Sequence, residues 1–203
     1  MLLSEDSTLT TNTLIGWFDT AAHRSDPPPH AARLQMRAGS GSTIQMHEDA
    51  SGGVCLLWGS PGHPTVDRDR IAAWCYQTIV SGVLQKLRDL HGPFVALVSE
   101  RGNDLAIATD AIGVRPWFFA QCKDGVAIGT NVWALIDAGL LDATPRIDYD
   151  AVAMWLYTFY NGTAGSLFEG VRRTPAGSVL TFEAGAQPRV EVWAELRKDG
   201  SPC

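Results

Sequence analysis

Clustered positive charge is missing from this 203-residue sequence: its 16 Lys and Arg are scattered, no run exceeds Arg172-Arg173, and the formal charge is −6. Nucleic acids and acidic membrane surfaces are recognised through basic patches, so neither is an expected partner. Cysteine is scarce and poorly spaced for a metal. Cys55, Cys75, Cys122 and Cys203 form no Cys-x-x-Cys pair, and no paired histidines lie near them. No metal site is expected. Cys55 and Cys75 lie in apolar segments, where a free cysteine behaves as a small hydrophobe. No apolar window approaches the roughly 20 residues of a membrane-crossing helix. The start, Met1-Leu2-Leu3-Ser4-Glu5-Asp6, lacks the basic opening and apolar run of a signal peptide. A reducing cytoplasm is the expected setting.

Apolar residue is not lacking. At 45% hydrophobic and 19% charged, the chain can bury a full core. Residues 1–12 are polar and read as a flexible extension. Short apolar runs at 14–18 and 54–58 read as strands, and alternation at 32–37 and 44–46 predicts half-buried strands around the Gly39–Ser42 turn. Pro27-Pro28-Pro29 can be neither helix nor central strand. From 67 to 90 the apolar spacing becomes helical, with Asp67 or Asp69 as the cap and Gly82 as an interruption. Runs at 94–99 and 105–109, and at 117–121 and 126–129, flank short turn sequences and predict two hairpins. Asn131 caps a short helix closed by Gly139. A second helix opens at 147–150, with Ala151, Trp155, Leu156 and Phe159 on its buried face. Strands return at 178–182 and 189–193. Hairpins interleaved with helices predict a layered α+β fold in one domain.

Four segments in order carry a resemblance. They are Leu90-His91-Gly92-Pro93-Phe94-Val95-Ala96-Leu97-Val98, the corner Ala108-Thr109-Asp110-Ala111-Ile112-Gly113-Val114-Arg115-Pro116, Ala127–Leu135, and Leu167–Ser178 with its Phe168-Glu169-Gly170-Val171 core. Together they resemble the class II glutamine amidotransferase domain at the front of asparagine synthetases. The resemblance implies a four-layer α/β/β/α sandwich of two antiparallel sheets, the N-terminal-nucleophile fold. It is strong over 84–193 and faint over 14–62.

A glutaminase of that family uses an N-terminal cysteine thiolate, with the free α-amine as its base. It also uses an Asn-Gly step as oxyanion donor, and a carboxylate on the next helix holds the substrate amine. In this chain the resemblance places Asn12 at the nucleophile position, and an amide cannot act as that nucleophile. Trp58 and Gly59 stand at the oxyanion step, where the indole would fill the glutamine pocket. The helix begins Arg70-Ile71-Ala72-Ala73 without acidic residues. Autoproteolysis exposing Thr11 or Thr13 would supply a new nucleophile, though not the oxyanion donor. Asp110, Gly113, Arg115 and Pro116 read as a structural corner, Asp110 satisfying backbone donors and Arg115 pairing nearby.

Other residues have plainer readings. Ser51-Gly52-Gly53 matches the start of a pyrophosphate loop but leads into a strand, and so reads as a turn. His91 reads as a strand-entry polar residue and His23, His30, His47 and His63 as solvated. Trp74, Trp133 and Trp155 sit at core spacing.

The expected function is a glutaminase-inactive amidotransferase-like domain over 13–196, with 197–203 as a tail or linker start. As the resemblance to β-lactam synthetases and lasso-peptide cyclases implies, it would support an adenylating, amide-forming asparagine-synthetase-like domain or subunit. ATP and Mg²⁺ are expected only on that partner, with no cofactor in this chain, and a homodimer is compatible with the sequence. The alternatives are a hydrolase using processed Thr11 or Thr13, or recruiting Cys55, and a free-standing module that binds a peptide or metabolite.

Overall fold

The computed structural model describes residues 2–6, 9, 13–19, 34–40, 43–100, 104–159, 165–183 and 186–195. Its strands are β1 (Leu2–Glu5), β2 (Leu14–Asp19), β3 (Leu34–Ala38), β4 (Ile44–Glu48), β5 (Val54–Gly59), β6 (Phe94–Ser99), β7 (Asp104–Thr109), β8 (Phe118–Cys122), β9 (Gly125–Gly129), β10 (Val171–Arg173), β11 (Ser178–Glu183) and β12 (Arg189–Val192). The α-helices are α1 (Ile71–Val80), α2 (Val132–Asp137) and α3 (Tyr149–Thr158). The chain divides into two compact units, 1–42 with 116–174 and 43–115 with 175–203.

The first unit holds a six-stranded sheet in the order β1-β3-β2-β9-β8-β10. Residues 2–5, expected to lie in a loose extension, form its edge: β1 pairs with β3, Leu3 opposite Met36. That pairing is parallel, so this sheet is mixed rather than wholly antiparallel. A strand is recovered from a polar terminus because the β3 edge offers a row of backbone groups that need partners. β8 and β9 form the expected hairpin, and β3 alternates buried and exposed residues as read from its sequence. Ile15, Ala127, Val132, Leu135 and Val171 share one apolar cluster. Asn131 caps α2, its side-chain oxygen accepting from the Trp133 N–H at 2.9 Å.

The second unit holds a sheet in the order β12-β11-β7-β6-β5-β4, antiparallel throughout. β3 and β4 therefore do not form a hairpin across the Gly39–Ser42 turn; each belongs to a different sheet. β5 and β6 are buried along their whole length, as their unbroken apolar runs require. α1 lies against β4, β5 and β6. Its Ile71, Ala72, Cys75 and Ile79 join Leu57, Phe94, Ala96 and Trp193 in one cluster.

The helical stretch expected over 67–90 is divided, with the break at the expected Gly82 interruption. A 3-10 turn at Arg68–Arg70 precedes α1, and another at Leu84–Asp89 follows it. The break falls at Ser81-Gly82, where Gly82 adopts φ +70°, a conformation that ends a helix readily only at glycine. Asp67 stands at the start but makes no side-chain cap.

α3 departs furthest from expectation. It forms where predicted, and Asp148 caps it by accepting from the Ala151 N–H at 2.9 Å. Yet none of its residues is buried. Trp155, Leu156 and Phe159, expected on an inward face, are all exposed, and so is Trp133 on α2. Periodicity reports which side of a helix is apolar, not whether anything covers it.

Candidate functional site

Within the second unit the two groups of residues singled out from sequence come together. β5 ends at Gly59 with φ +122°. Its amide donates to the Thr43 carbonyl at 3.0 Å. A β-carbon at Gly59 would lie 2.5 Å from the Pro93 carbonyl oxygen and 3.3 Å from Arg115 Nε, so both its dihedrals and its surroundings exclude a side chain. Trp58, one residue earlier, is buried. The Arg115 guanidinium lies over its indole, 4.3 Å from the ring centroid, in cation–π geometry. Trp58-Gly59 and the corner around Asp110 and Arg115 are thus one packed feature, although they lie far apart in sequence.

The corner is built on Asp110. β7 delivers it at its end, and its amide donates to the Phe94 carbonyl at 3.0 Å. Its carboxylate Oδ1 accepts from the Ile112 N–H at 3.2 Å and the Val114 N–H at 3.0 Å. Its carbonyl accepts from the Gly113 and Gly177 amides. Gly113, at φ +62°, makes the turn that aims those donors inward. Asp110 therefore acts as a backbone clamp, as its place in the sequence predicts. Arg115, expected to pair nearby, does so with the indole face; among the described residues no salt bridge to a carboxylate involves it. No sequence signal joins positions 58 and 115, because a cation over a ring needs only tertiary proximity. Pro116 opens the chain segment of the other unit.

Thr13 belongs to the first unit. It is buried immediately before β2, and its carbonyl accepts from the Gly39 N–H at 2.8 Å. Thr11 and Asn12 lie outside the described residues, as do His23 and His30.

The thiols of Cys55, Cys75 and Cys122 are chemically quiet, and Cys203 lies outside the described residues. Cys55 is fully buried, and loss of solvation, reinforced by neighbouring Cys75, pushes its pKa well above the ordinary thiol value. Burial raises Cys75 to about 12. Cys122 is also raised, chiefly by desolvation. A thiolate nucleophile requires the opposite shift. Among the described residues no three His, Cys, Asp or Glu side chains converge to hold a metal ion.

The remaining candidates fall into structural roles. His91 exchanges backbone hydrogen bonds with Gly62, at 2.9 and 2.8 Å. His63, expected in solvent, accepts from the Thr65 and Val66 amides at 3.1 Å each and packs its ring against Trp74 at 4.6 Å. His47 lies against the Tyr76 ring. Ser51-Gly52-Gly53 is a turn that feeds β5, closed by Asp49, whose carboxylate accepts from the Ser51 and Gly53 amides. A side chain at Gly53 would run into the Tyr76 hydroxyl. No helix N-terminus follows this turn to face an anion.

Two six-stranded sheets with few helices define an α+β fold of the N-terminal-nucleophile class. Residues 75–193 match the family model described as the glutamine amidotransferase domain, and the chain belongs to that family. The match includes Asp110, Gly113 and Arg115 and begins after Trp58 and Gly59. No curated protein matches the chain in sequence. Among solved structures, the chain is similar to glutamine phosphoribosylpyrophosphate amidotransferase from B. subtilis complexed with ADP and GMP, at 12% identity and TM-score 0.49. It is also similar to a structure described as the allosteric regulatory enzyme of purine biosynthesis, at 10% identity and TM-score 0.52. Each likeness covers 90% of this chain and 43% of the other, so the chain spans under half the length of the proteins it matches. The likeness at TM-score 0.52 supports the fold class alone.

Proposed function

We propose that this glutamine amidotransferase-like domain does not hydrolyse glutamine and instead supports an ATP-dependent, amide-forming enzyme of the asparagine-synthetase kind. The observation that carries the reading is Trp58-Gly59 under Arg115. At the step where the family resemblance calls for an amide side chain to steady an oxyanion, this chain has a buried indole faced by a guanidinium. Such a pair fills space and offers no carboxamide donor at that step. The thiols support the same reading, since burial shifts Cys55, Cys75 and Cys122 away from the thiolate form. In this proposal ATP and Mg²⁺ bind the partner, and both proteins work in the cytoplasm. Among the described residues no helix is long and apolar enough to cross a membrane.

The rival reading, a processed Thr11 or Thr13 nucleophile, draws on one observation: Thr13 stands at the mouth of β2, where a terminal nucleophile would be held. Incubating the full chain with L-glutamine while following both ammonia and intact mass separates the two. The proposal expects no ammonia above the uncatalysed rate and an unshortened chain. Ammonia release accompanied by loss of the residues before Thr11 or Thr13 would overturn it. Binding of glutamine without hydrolysis would support the third reading, a metabolite-binding module.

A further inference from the structure

We propose that α3 is the surface through which two copies of this chain pair, with the two helices antiparallel. Tyr149, Val152 and Leu156 recur at i, i+3 and i+7, the spacing of a helix-pairing seam; Phe159, the left-handed C-cap, extends it at the end, and Trp155 borders it. The seam is open. Tyr149 is 78% exposed, Leu156 61%, Phe159 81% and Trp155 42%. A helix this apolar is ordinarily buried, so its exposure in the single chain calls for a covering surface.

The order of side chains identifies the occupant as a second copy. The seam reads aromatic, aliphatic, aliphatic, aromatic in either direction. A twofold axis through its middle sets Tyr149 against Phe159 of the other copy and Val152 against its Leu156. A twofold contact demands such self-complementarity, each patch meeting itself. The charged residue of the helix, Asp150, lies about 100° around the axis from Tyr149 and so off the seam. Trp155 meets Phe159 edge-on, ring centroids 6.4 Å apart, so the two rings are already packed together before pairing. Three partly exposed aromatics and one leucine offer about 500 Å² per copy, or about 1,000 Å² in all, the lower limit for a specific contact.

Sedimentation equilibrium of the full chain, from low micromolar to several hundred micromolar and with reductant to exclude disulfide cross-links, tests this directly. A monomer–dimer equilibrium is expected. Leu156→Glu places a charge in the seam and should weaken pairing at least about tenfold. Met154→Glu, on the far side of the helix, should leave it unchanged, and both variants should keep the parent circular dichroism. Adding Val152→Lys to Leu156→Glu should restore the dimer, because only antiparallel pairing sets 152 against 156. A chain that stays monomeric throughout, as a face reserved for a different protein would, overturns the proposal. So does a dimer indifferent to Leu156→Glu, or a double variant that fails to restore pairing. None of these results depends on whether the domain hydrolyses glutamine.

Discussion

α1 and α3 are both ten-residue helices rich in apolar side chains, and they are held in place by opposite means. α1 has no side-chain cap, yet it buries Ile71, Ala72, Cys75, Tyr76, Thr78 and Ile79. α3 is capped by Asp148 and closed by Phe159 in the left-handed conformation, yet it buries nothing. The helix of the second unit rests on tertiary packing and tolerates poor ends. The helix of the first unit rests on its ends and leaves its apolar face open. A good cap thus does not guarantee burial, and burial can hold a helix that has no cap.

The sharpest test of that contrast is a pair of truncations. Ile71→Ala should cost roughly 2–5 kcal/mol in urea denaturation, the range for removing a buried aliphatic side chain. Leu156→Ala, measured at low protein concentration, should cost less than about 0.5 kcal/mol. Comparable losses would break the comparison by showing α3 to be covered within one chain.

Glycines extend the contrast to the backbone. Gly59→Ala faces both an unfavourable φ and the Pro93 carbonyl. Gly139→Ala, at φ +65°, meets nothing within 4 Å. Strain alone predicts about 1 kcal/mol at Gly139, whereas the added overlap at Gly59 predicts about 1–3 kcal/mol more. Equal effects would mean that the β5 end can relax away from Pro93.

Asp110→Ala removes the acceptor of the Ile112 and Val114 amides and should cost roughly 1–3 kcal/mol for the donors left unsatisfied. Asp110→Asn keeps an oxygen and should cost less. Arg115→Met keeps an apolar stem but loses the charge over Trp58, and should cost about 0.5–2 kcal/mol. A null result there would show that the indole is held by β-sheet packing alone.

The smallest effect is a pH dependence of the turn before β5. The Ser51 hydroxyl, and then the Gly53 amide, hold the Asp49 carboxyl at about 2, below its ordinary 3.8. A depressed carboxyl stabilises the folded state above its ordinary pKa, and that contribution fades as pH falls from 3.8 toward 2. Acid titration of stability should therefore be shallower in Asp49→Asn than in the parent across that window. Identical curves would show the turn to be energetically silent.

Much of this was legible in the residue order. Both hairpins follow from apolar runs around short turn sequences, the Asn131 cap from its side chain, and the Asp110 clamp from a carboxylate placed just before a glycine turn. These are short-range matters, settled by dihedral preference and by donors within a few residues. The missed features are all long-range. β1 pairs with β3 because an edge needed a partner, not because Leu2–Glu5 favours a strand. α1 lacks the Asp67 or Asp69 cap expected for it and is stabilised by the sheet beneath it. Arg115 meets Trp58 rather than a carboxylate because the end of β5 and the corner after β7 meet at one place.

By itself, then, the sequence determined the family, most strands and the Asn131 cap, since local chemistry and residue order suffice for these. Tertiary structure alone decided that Trp58, Gly59, Asp110 and Arg115 form one packed corner, that Cys55 and Cys75 lie too deep to ionise readily, and that α3 keeps its apolar seam outside. The physical reason is common to all three: burial and charge-to-ring contact depend on what the rest of the chain places nearby, and no periodicity along the sequence encodes that.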